Sequence, residues 1–475
     1  MSETYVNPLC ERYSGKEMQR IFSADNRYST WRKLWLALAE SEKELGLDIT
    51  DEQIDELKAH LYDIDYELEK KYESELRHDV MAHIRTYGEV CPKAKPIIHL
   101  GATSCYVCDN ADVIIFREAL QYVKRRIVSV LNSLRNFALK YKNVPTLGYT
   151  HFQAAQPTTV GKRATLWAQD LVMDLESLDF VLENLKLLGC KGATGTCASF
   201  MEIFGDAEKV EKLEKLISAR FGFEHSFKVS GQTYTRKQDY SILSVLSGIA
   251  QSASKFATDV RMLAHLKEFD EPFNSKQVGS SAMAYKRNPM RSERICSLAR
   301  YVMVDALNPA VTTASQWLER TLDDSANRRI SIPEAFLAID AIMSLYGNII
   351  DGATIFPAVM KKHLDEELPY IATENILMFC VKKGGDRQEL HEAIRELSLS
   401  TAKRIKEEGG DNDLLDRIAA DARFNITREE LNGLLNVDDF IGLSPGQTEK
   451  FCNEVLEPII EKNKNLVGAE CDVRV

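Results

Sequence analysis

Three stretches of the chain hold small, hydroxylic and basic residues in patterns that a plain scaffold does not need. The longest is Gly279-Ser280-Ser281-Ala282-Met283-Ala284-Tyr285-Lys286-Arg287-Asn288-Pro289-Met290-Arg291-Ser292-Glu293-Arg294. Its front half is small and flexible, as a mobile lid must be. Its back half sets Lys286, Arg287, Arg291 and Arg294 against Glu293, a local charge of +3 in a chain of net charge −11. That combination fits an anion-gripping lid better than a solvated basic loop. A second basic group follows at Arg320, Arg328 and Arg329, with Ser325 among them. The planar guanidinium suits bidentate grip on carboxylate and phosphate. The second stretch is Thr150-His151-Phe152-Gln153, in an uncharged linker. A histidine there is either a satisfied structural residue or a proton carrier near neutral pH, with Thr150, Gln153 and Gln156 able to fix its tautomer. The third stretch, Gly101-Ala102-Thr103-Ser104, follows His99. It either caps the helix after it or turns N–H groups and hydroxyls toward an anion.

Helical periodicity supplies the frame that must position these segments. Val113, Phe116, Leu120, Val123, Ile127, Val130, Leu134, Phe137 and Tyr141 alternate at spacings of three and four. This is a heptad seam and predicts a helix of about thirty residues packed along a neighbour. A second helix is predicted from near Pro157, a residue tolerated in a first turn, to a stop at Gly189. A third is predicted from about Thr233 to Leu266, with no charge between Tyr240 and Ser254. A helix apolar or small on most faces is buried on most faces, so partners from other subunits are expected. The apolar run Ala335 to Met360 reads as a buried core helix, since Asp340, Asp351 and Pro357 interrupt it. Shorter helices are predicted at Ser29–Leu45, Asp51–Leu61 and Tyr62–Tyr87. The expected organisation is an N-terminal helical domain (1–103), a central long-helix bundle carrying the lid (104–355) and a C-terminal helical domain (356–475).

Composition and missing motifs narrow the chemistry. The chain has 475 residues, 44% apolar and 28% charged, values of an ordinary globular protein. Its acidity argues against a general nucleic-acid or anionic-membrane binder. The N-terminus lacks the layout of a secretory signal, and ten cysteines are irregularly spaced; a cytoplasmic protein with reduced thiols is expected. No dinucleotide fingerprint, phosphate loop, nucleophile elbow or zincin pair is present in the sequence. His78 and His83, five apart, fall on different helix faces, and Cys105-x-x-Cys108 has no partner pair. A reaction run on side chains alone, with no metal and no cofactor, is therefore expected.

Gly-Ser-Ser-x-Met-x-x-Lys-x-Asn-Pro, here Gly279 to Pro289, resembles the signature loop of the fumarase/aspartase superfamily. The fuller Ser280–Arg294 sequence is similar to its adenylosuccinate lyase branch, as are Arg77-His78-Asp79-Val80-Met81-Ala82-His83, the Gly101–Ser104 turn and Thr150–Gln153. The resemblance spans essentially the whole chain. One departure is Ala284, where the family has proline; alanine restores an N–H and frees φ, which bears on lid closure.

The resemblance implies an all-α fold of three domains, a homotetramer with a twenty-helix core, and active sites each shared by three subunits. It implies cofactor-free elimination of fumarate from adenylosuccinate, giving AMP, and from the succinylcarboxamide ribotide of purine synthesis. Within that reaction Ser280 would be the base, supported by Lys286, and His151 the general acid. Arg12, Tyr13, Arg77, His78 and Asp79 would hold the ribose phosphate and its surroundings, and Thr103 and Ser104 a succinyl carboxylate. Thr150, Gln232, Asn288, Arg294, Arg320, Ser325 and Arg329 would complete the pocket. His78 has two open roles, phosphate ligand or partner tuning His151. The nearest alternatives are another substrate within the superfamily, such as argininosuccinate, and a non-catalytic helical scaffold.

Overall fold

The computed structural model describes residues 4–273, 277–283 and 285–468. Ala284 and the residues after 468 lie outside the described residues. The fold is all-α apart from two small antiparallel strand pairs. Five helices make its centre: Ser104–Lys140, Val160–Asn184, Lys237–His265, Met290–Asp305 and Asp324–Gly352, called here the first to fifth core helices. The heptad seam of the first is buried, as are the inward faces of the others, in one hydrophobic cluster. The fifth is long and apolar enough to cross a membrane by length and composition, yet 83% of its most apolar window is buried inside the protein. It ends at Gly352; a short strand and a further helix take up the rest of the predicted apolar run.

The core helices have a fixed sense. Asp109, near the start of the first, Arg236, just before the third, and Asp324, at the start of the fifth, are in direct ion contact. These three N-termini therefore converge. The other end holds β1 (Pro145–Thr150) and β2 (Gln153–Thr159), which follow the first helix. There too β3 (Phe269–Asp270), after the third helix, pairs with β4 (Thr354–Ile355), after the fifth. At 1.5 Å per residue the 29-residue third and fifth helices are about 43 Å long.

Two predictions about elements are corrected. Pro157 does not open a helix: it lies in β2 opposite Leu147, and the second core helix starts at Val160, capped by Thr159, whose hydroxyl accepts the Lys162 N–H. The predicted Tyr62–Tyr87 helix is two helices, Tyr66–Leu76 and Asp79–Val90. Arg77 ends the first in the left-handed region (φ 52°), and His78 caps the second by accepting the Met81 N–H on Nδ1. That break turns the Arg77-His78-Asp79 segment out of a helix and into a cleft.

A second buried cluster joins the N-terminal helices to the start of the first core helix, and a third lies within 372–431. The chain's own ends return to the centre: Leu9, Met18 and Ile21 pack in the central cluster with Cys452 and Leu456.

Candidate active site

The predicted residues fall into three groups at different heights along the bundle. The first group lines a cleft of about 770 Å³ where the three N-termini converge. It contains Arg77, His78, Asp79, Thr103, Ser104, Gln232, Arg320, Ser325 and Arg329. Gly101 takes a positive φ, and a Cβ there would press on Phe200 and Ile203, so the turn into the first core helix needs glycine. Thr103 occupies the cap position without making a side-chain cap bond. Its hydroxyl and the free N–H groups of that helix end are thus available to an anion. His78 Nε2 lies 3.3 Å from Ser104 Oγ. With Nδ1 occupied as an acceptor, the neutral ring carries its proton on Nε2 and donates it there.

Most of the cleft arginines are locked. Arg236, 2% exposed, reaches both oxygens of Asp109 at 3.0 and 3.2 Å and Asp324 at 2.7 Å. Arg320 holds the other oxygen of Asp324 at 2.8 Å. Arg328 reaches Asp239 and the Tyr234 hydroxyl, each at 2.6 Å, and Asp112 at 3.1 Å. Arg329 pairs with Asp79 at 2.7 Å and Arg27 with Asp112 at 3.7 Å. Burial opposes charge on Asp324 and Asp79, but their arginine partners win and hold both carboxyls below the usual range. Among the described residues, Arg77 is the arginine of the cleft with no carboxylate partner; it is exposed.

Sequence reasoning missed the carboxylates that fix these arginines, and it missed His99. His99 takes the Trp35 indole N–H on Nδ1 at 2.8 Å, and burial pushes its pKa down to about 4. It is a neutral ring in the cleft wall. The paired signals available in the sequence were Asp109 and Asp112, three apart at the start of an apolar helix. Cys105 is a buried thiol and Cys108 a half-buried one; burial pushes the Cys105 pKa up to about 12, and its sulfur lies 3.6 Å from the Gln232 amide oxygen. Among the described residues no group of three or more His, Cys, Asp or Glu side chains could hold a metal ion.

The second group sits midway along the fifth core helix. Leu9–Tyr13 forms one wide helical turn, with Arg12 exposed. The following Gly15 N–H donates to buried Asp340 at 2.6 Å. The Arg294 guanidinium lies 5.6 Å from the centre of the Tyr13 ring.

The third group is at the far end. Thr150 ends β1, and His151 and Phe152 form the hairpin tip, both with positive φ (53° and 57°) and both exposed. The lid lies between β3 and the fourth core helix. Ser280 Oγ accepts the N–H groups of Met283 and Ala282 at 3.1 and 3.3 Å. Two donors aimed at one hydroxyl oxygen favour negative charge on it. The Asn288 amide donates to the Gly279 carbonyl at 2.9 Å, and a Cβ on Gly279 would overlap the Lys286 carbonyl. This clamp closes the loop on itself. Lys286 is exposed and makes no ion pair among the described residues.

Two of the lid's cations have partners in this chain. Arg287 pairs with Asp270, and Arg291 donates to the Pro272 carbonyl while its N–H meets Glu271. They anchor the lid's stems.

Within one chain the first and third groups do not meet. The first core helix, 37 residues and about 55 Å, separates Ser104 from the root of the hairpin. Strands of six and seven residues reach only about 20 Å. His151 therefore cannot touch the Ser104 or His78 of its own chain.

Comparison with known proteins places the chain. Residues 8–304 match the family described as Lyase, and residues 369–451 match the adenylosuccinate lyase C-terminus. The chain is 51% identical over 465 residues to adenylosuccinate lyase of Saccharomyces cerevisiae, covering 96% of each protein. It is 50% identical over 471 residues to that of Schizosaccharomyces pombe, covering 98% of each. In fold it is similar to 3-carboxy-cis,cis-muconate lactonizing enzyme from Pseudomonas putida, with a TM-score of 0.81 at 21% identity over 94% of this chain and 99% of that one. With its length, its C-terminal segment and half its residues in common with these lyases, the chain belongs to the adenylosuccinate lyase family.

Proposed function

We propose that the chain eliminates fumarate from adenylosuccinate, giving AMP, and from the succinylcarboxamide ribotide, giving the carboxamide ribotide. The observation that carries this reading is the half-identity, end to end, to proteins named for the first reaction. The cleft suits a polyanion: Arg77, with no carboxylate partner among the described residues, lines it together with a helix N-terminus whose Thr103 hydroxyl makes no cap bond.

In the proposed mechanism Ser280, as alkoxide, takes the proton from the carbon beside one succinyl carboxylate. The electron pair passes onto that carboxylate as an aci-acid, held by cations and N–H groups. It then returns to form the fumarate double bond as the C–N bond breaks, and His151 protonates the leaving nitrogen. The two N–H donors on Ser280 Oγ support its role as base, with Lys286 the nearby cation that lowers the cost of the alkoxide. His151, on an exposed hairpin tip, is free to reach a substrate held by another molecule.

The proposal includes a homotetramer with sites shared by three subunits, and the same geometry supports it. Three groups of site residues stand at three heights on one bundle, as expected if other copies bring them together. Leu166, Met173 and Phe180 leave an apolar stripe at seven-residue spacing on the second core helix, as a subunit contact requires. Nine free cysteines among the described residues fit a reducing compartment such as the cytosol.

The test is direct: fumarate release from both purine substrates, followed by ultraviolet absorbance. Turnover of adenylosuccinate is expected. Turnover of argininosuccinate in its place would refute the assignment.

A further inference from the structure

The hairpin that carries His151 and the lid that carries Ser280 share one buried carboxylate. Glu268 lies between the third core helix and β3, eleven residues before Gly279, where the lid begins. Its side chain is 0% exposed. Oε2 accepts the Thr146 hydroxyl at 3.3 Å, and Thr146 is the second residue of β1, at the hairpin root. Oε1 lies 2.8 Å from His363 Nδ1, on the helix Pro357–Ile371. An ionised carboxylate only accepts hydrogen bonds, so both neighbours donate. The Glu268 backbone closes the same junction: its N–H reaches the Leu263 carbonyl and its carbonyl takes the Phe356 N–H. Arg163, at the start of the second core helix, adds its charge and donates to the Leu147 carbonyl in β1 at 2.8 Å.

A carboxylate taken wholly out of water is costly unless its bonds are satisfied. A core needing only packing here would be served by an apolar side chain. What the carboxylate does, and an apolar group could not, is fix hairpin root, lid stem and the following helical segment to one point. We infer that Glu268 is a positioning residue that couples the placement of His151 to that of Ser280. The inference rests on the roles proposed above for those two residues. Because the acid and base that meet on one substrate come from different chains, the pair carried by one chain serves two active sites. Glu268 therefore links sites as well as segments.

The experiment uses the intact assembled enzyme. Glu268→Gln keeps the shape but replaces one acceptor with a donor, so one of the two links is lost. The expected result is a fall in kcat of about ten-fold or more, with KM within about two-fold and assembly unchanged. Thr146→Val, which cuts only the hairpin link, is expected to lower kcat by less, and it serves if Glu268→Gln fails to fold. His363→Asn, which keeps an N–H near the Nδ1 position, should restore most of what His363→Ala loses. Complementation then separates the links. In tetramers mixed from His151→Gln and Ser280→Ala subunits, the working sites take their lid from the first parent and their hairpin from the second. Glu268→Gln added to either parent should lower the regained rate. A rate unchanged in either arm overturns the coupling. A parental mixture that never regains activity removes the assignment of acid and base, and the inference with it.

Discussion

The two ends of the bundle are built by opposite rules. At the cleft end, five of the six lining arginines are held by carboxylates, and the Asp109–Arg236–Asp324–Arg320 chain is almost wholly buried at its centre. At the other end, His151 stands on an exposed hairpin tip, Lys286 is exposed, and Ser280 Oγ accepts two N–H groups of its own loop. The cleft's arginines are paired within one chain, whereas the hairpin tip and lid hold His151 and Lys286 in the open. The cleft arginines are set by the core, where ion pairs between long helices hold them. His151 and Lys286 lie at exposed edges, where they are open to another copy.

If this contrast is right, substitutions at the two ends must fail differently. The largest effect is expected at the lid and hairpin. Ser280→Ala and His151→Gln should each fold and assemble normally yet lose several orders of magnitude in kcat, measured by fumarate release. Normal rates from either purified variant would break the comparison. At the cleft end, Arg236→Met should instead cost stability, about 3–5 kcal/mol, because it strands Asp109 and Asp324 in the interior; urea unfolding reads it. Gly279→Ala should lower kcat about ten- to a hundred-fold by spoiling the lid clamp, with little change in the unfolding midpoint.

A further effect lies away from both ends and sharpens the contrast between a buried carboxyl with partners and one without. Glu42 is buried with both carboxyl oxygens unpartnered, and burial pushes its pKa from 4.5 up to about 9. The folded state then holds a proton that the unfolded chain releases. The stability it permits is full below the unfolded pKa and is lost as pH rises through the folded one, by up to about 3 kcal/mol at neutral pH. Glu42→Gln should therefore gain stability over the parent at about pH 8 and show no gain at about pH 4. An equal difference at both would contradict the assignment.

The sequence exposes what is local and periodic. The heptad seam from Val113 to Tyr141 announces the first core helix, because its spacing is the packing surface itself. The lid could be read because its glycine, serines and asparagine stand within ten residues. The hairpin could not: Pro157 looks like a helix start, and only pairing with Leu147 makes it a strand residue. The break at Arg77 was hidden because its left-handed cap carries neither glycine nor asparagine, the usual signal. The partners of the cleft arginines were invisible for another reason. Arg236 finds Asp109 across 127 positions and Asp324 across 88, and no spacing rule reaches that far.

The central claim is that the acid and the base reach one substrate from separate chains. Mixing inactive His151→Gln and Ser280→Ala tetramers under conditions that exchange subunits tests it most directly. Regained fumarate release, rising with the proportion of hybrids, is the expected result. Mixtures that stay inactive at every ratio, while exchange is seen to occur, would contradict it.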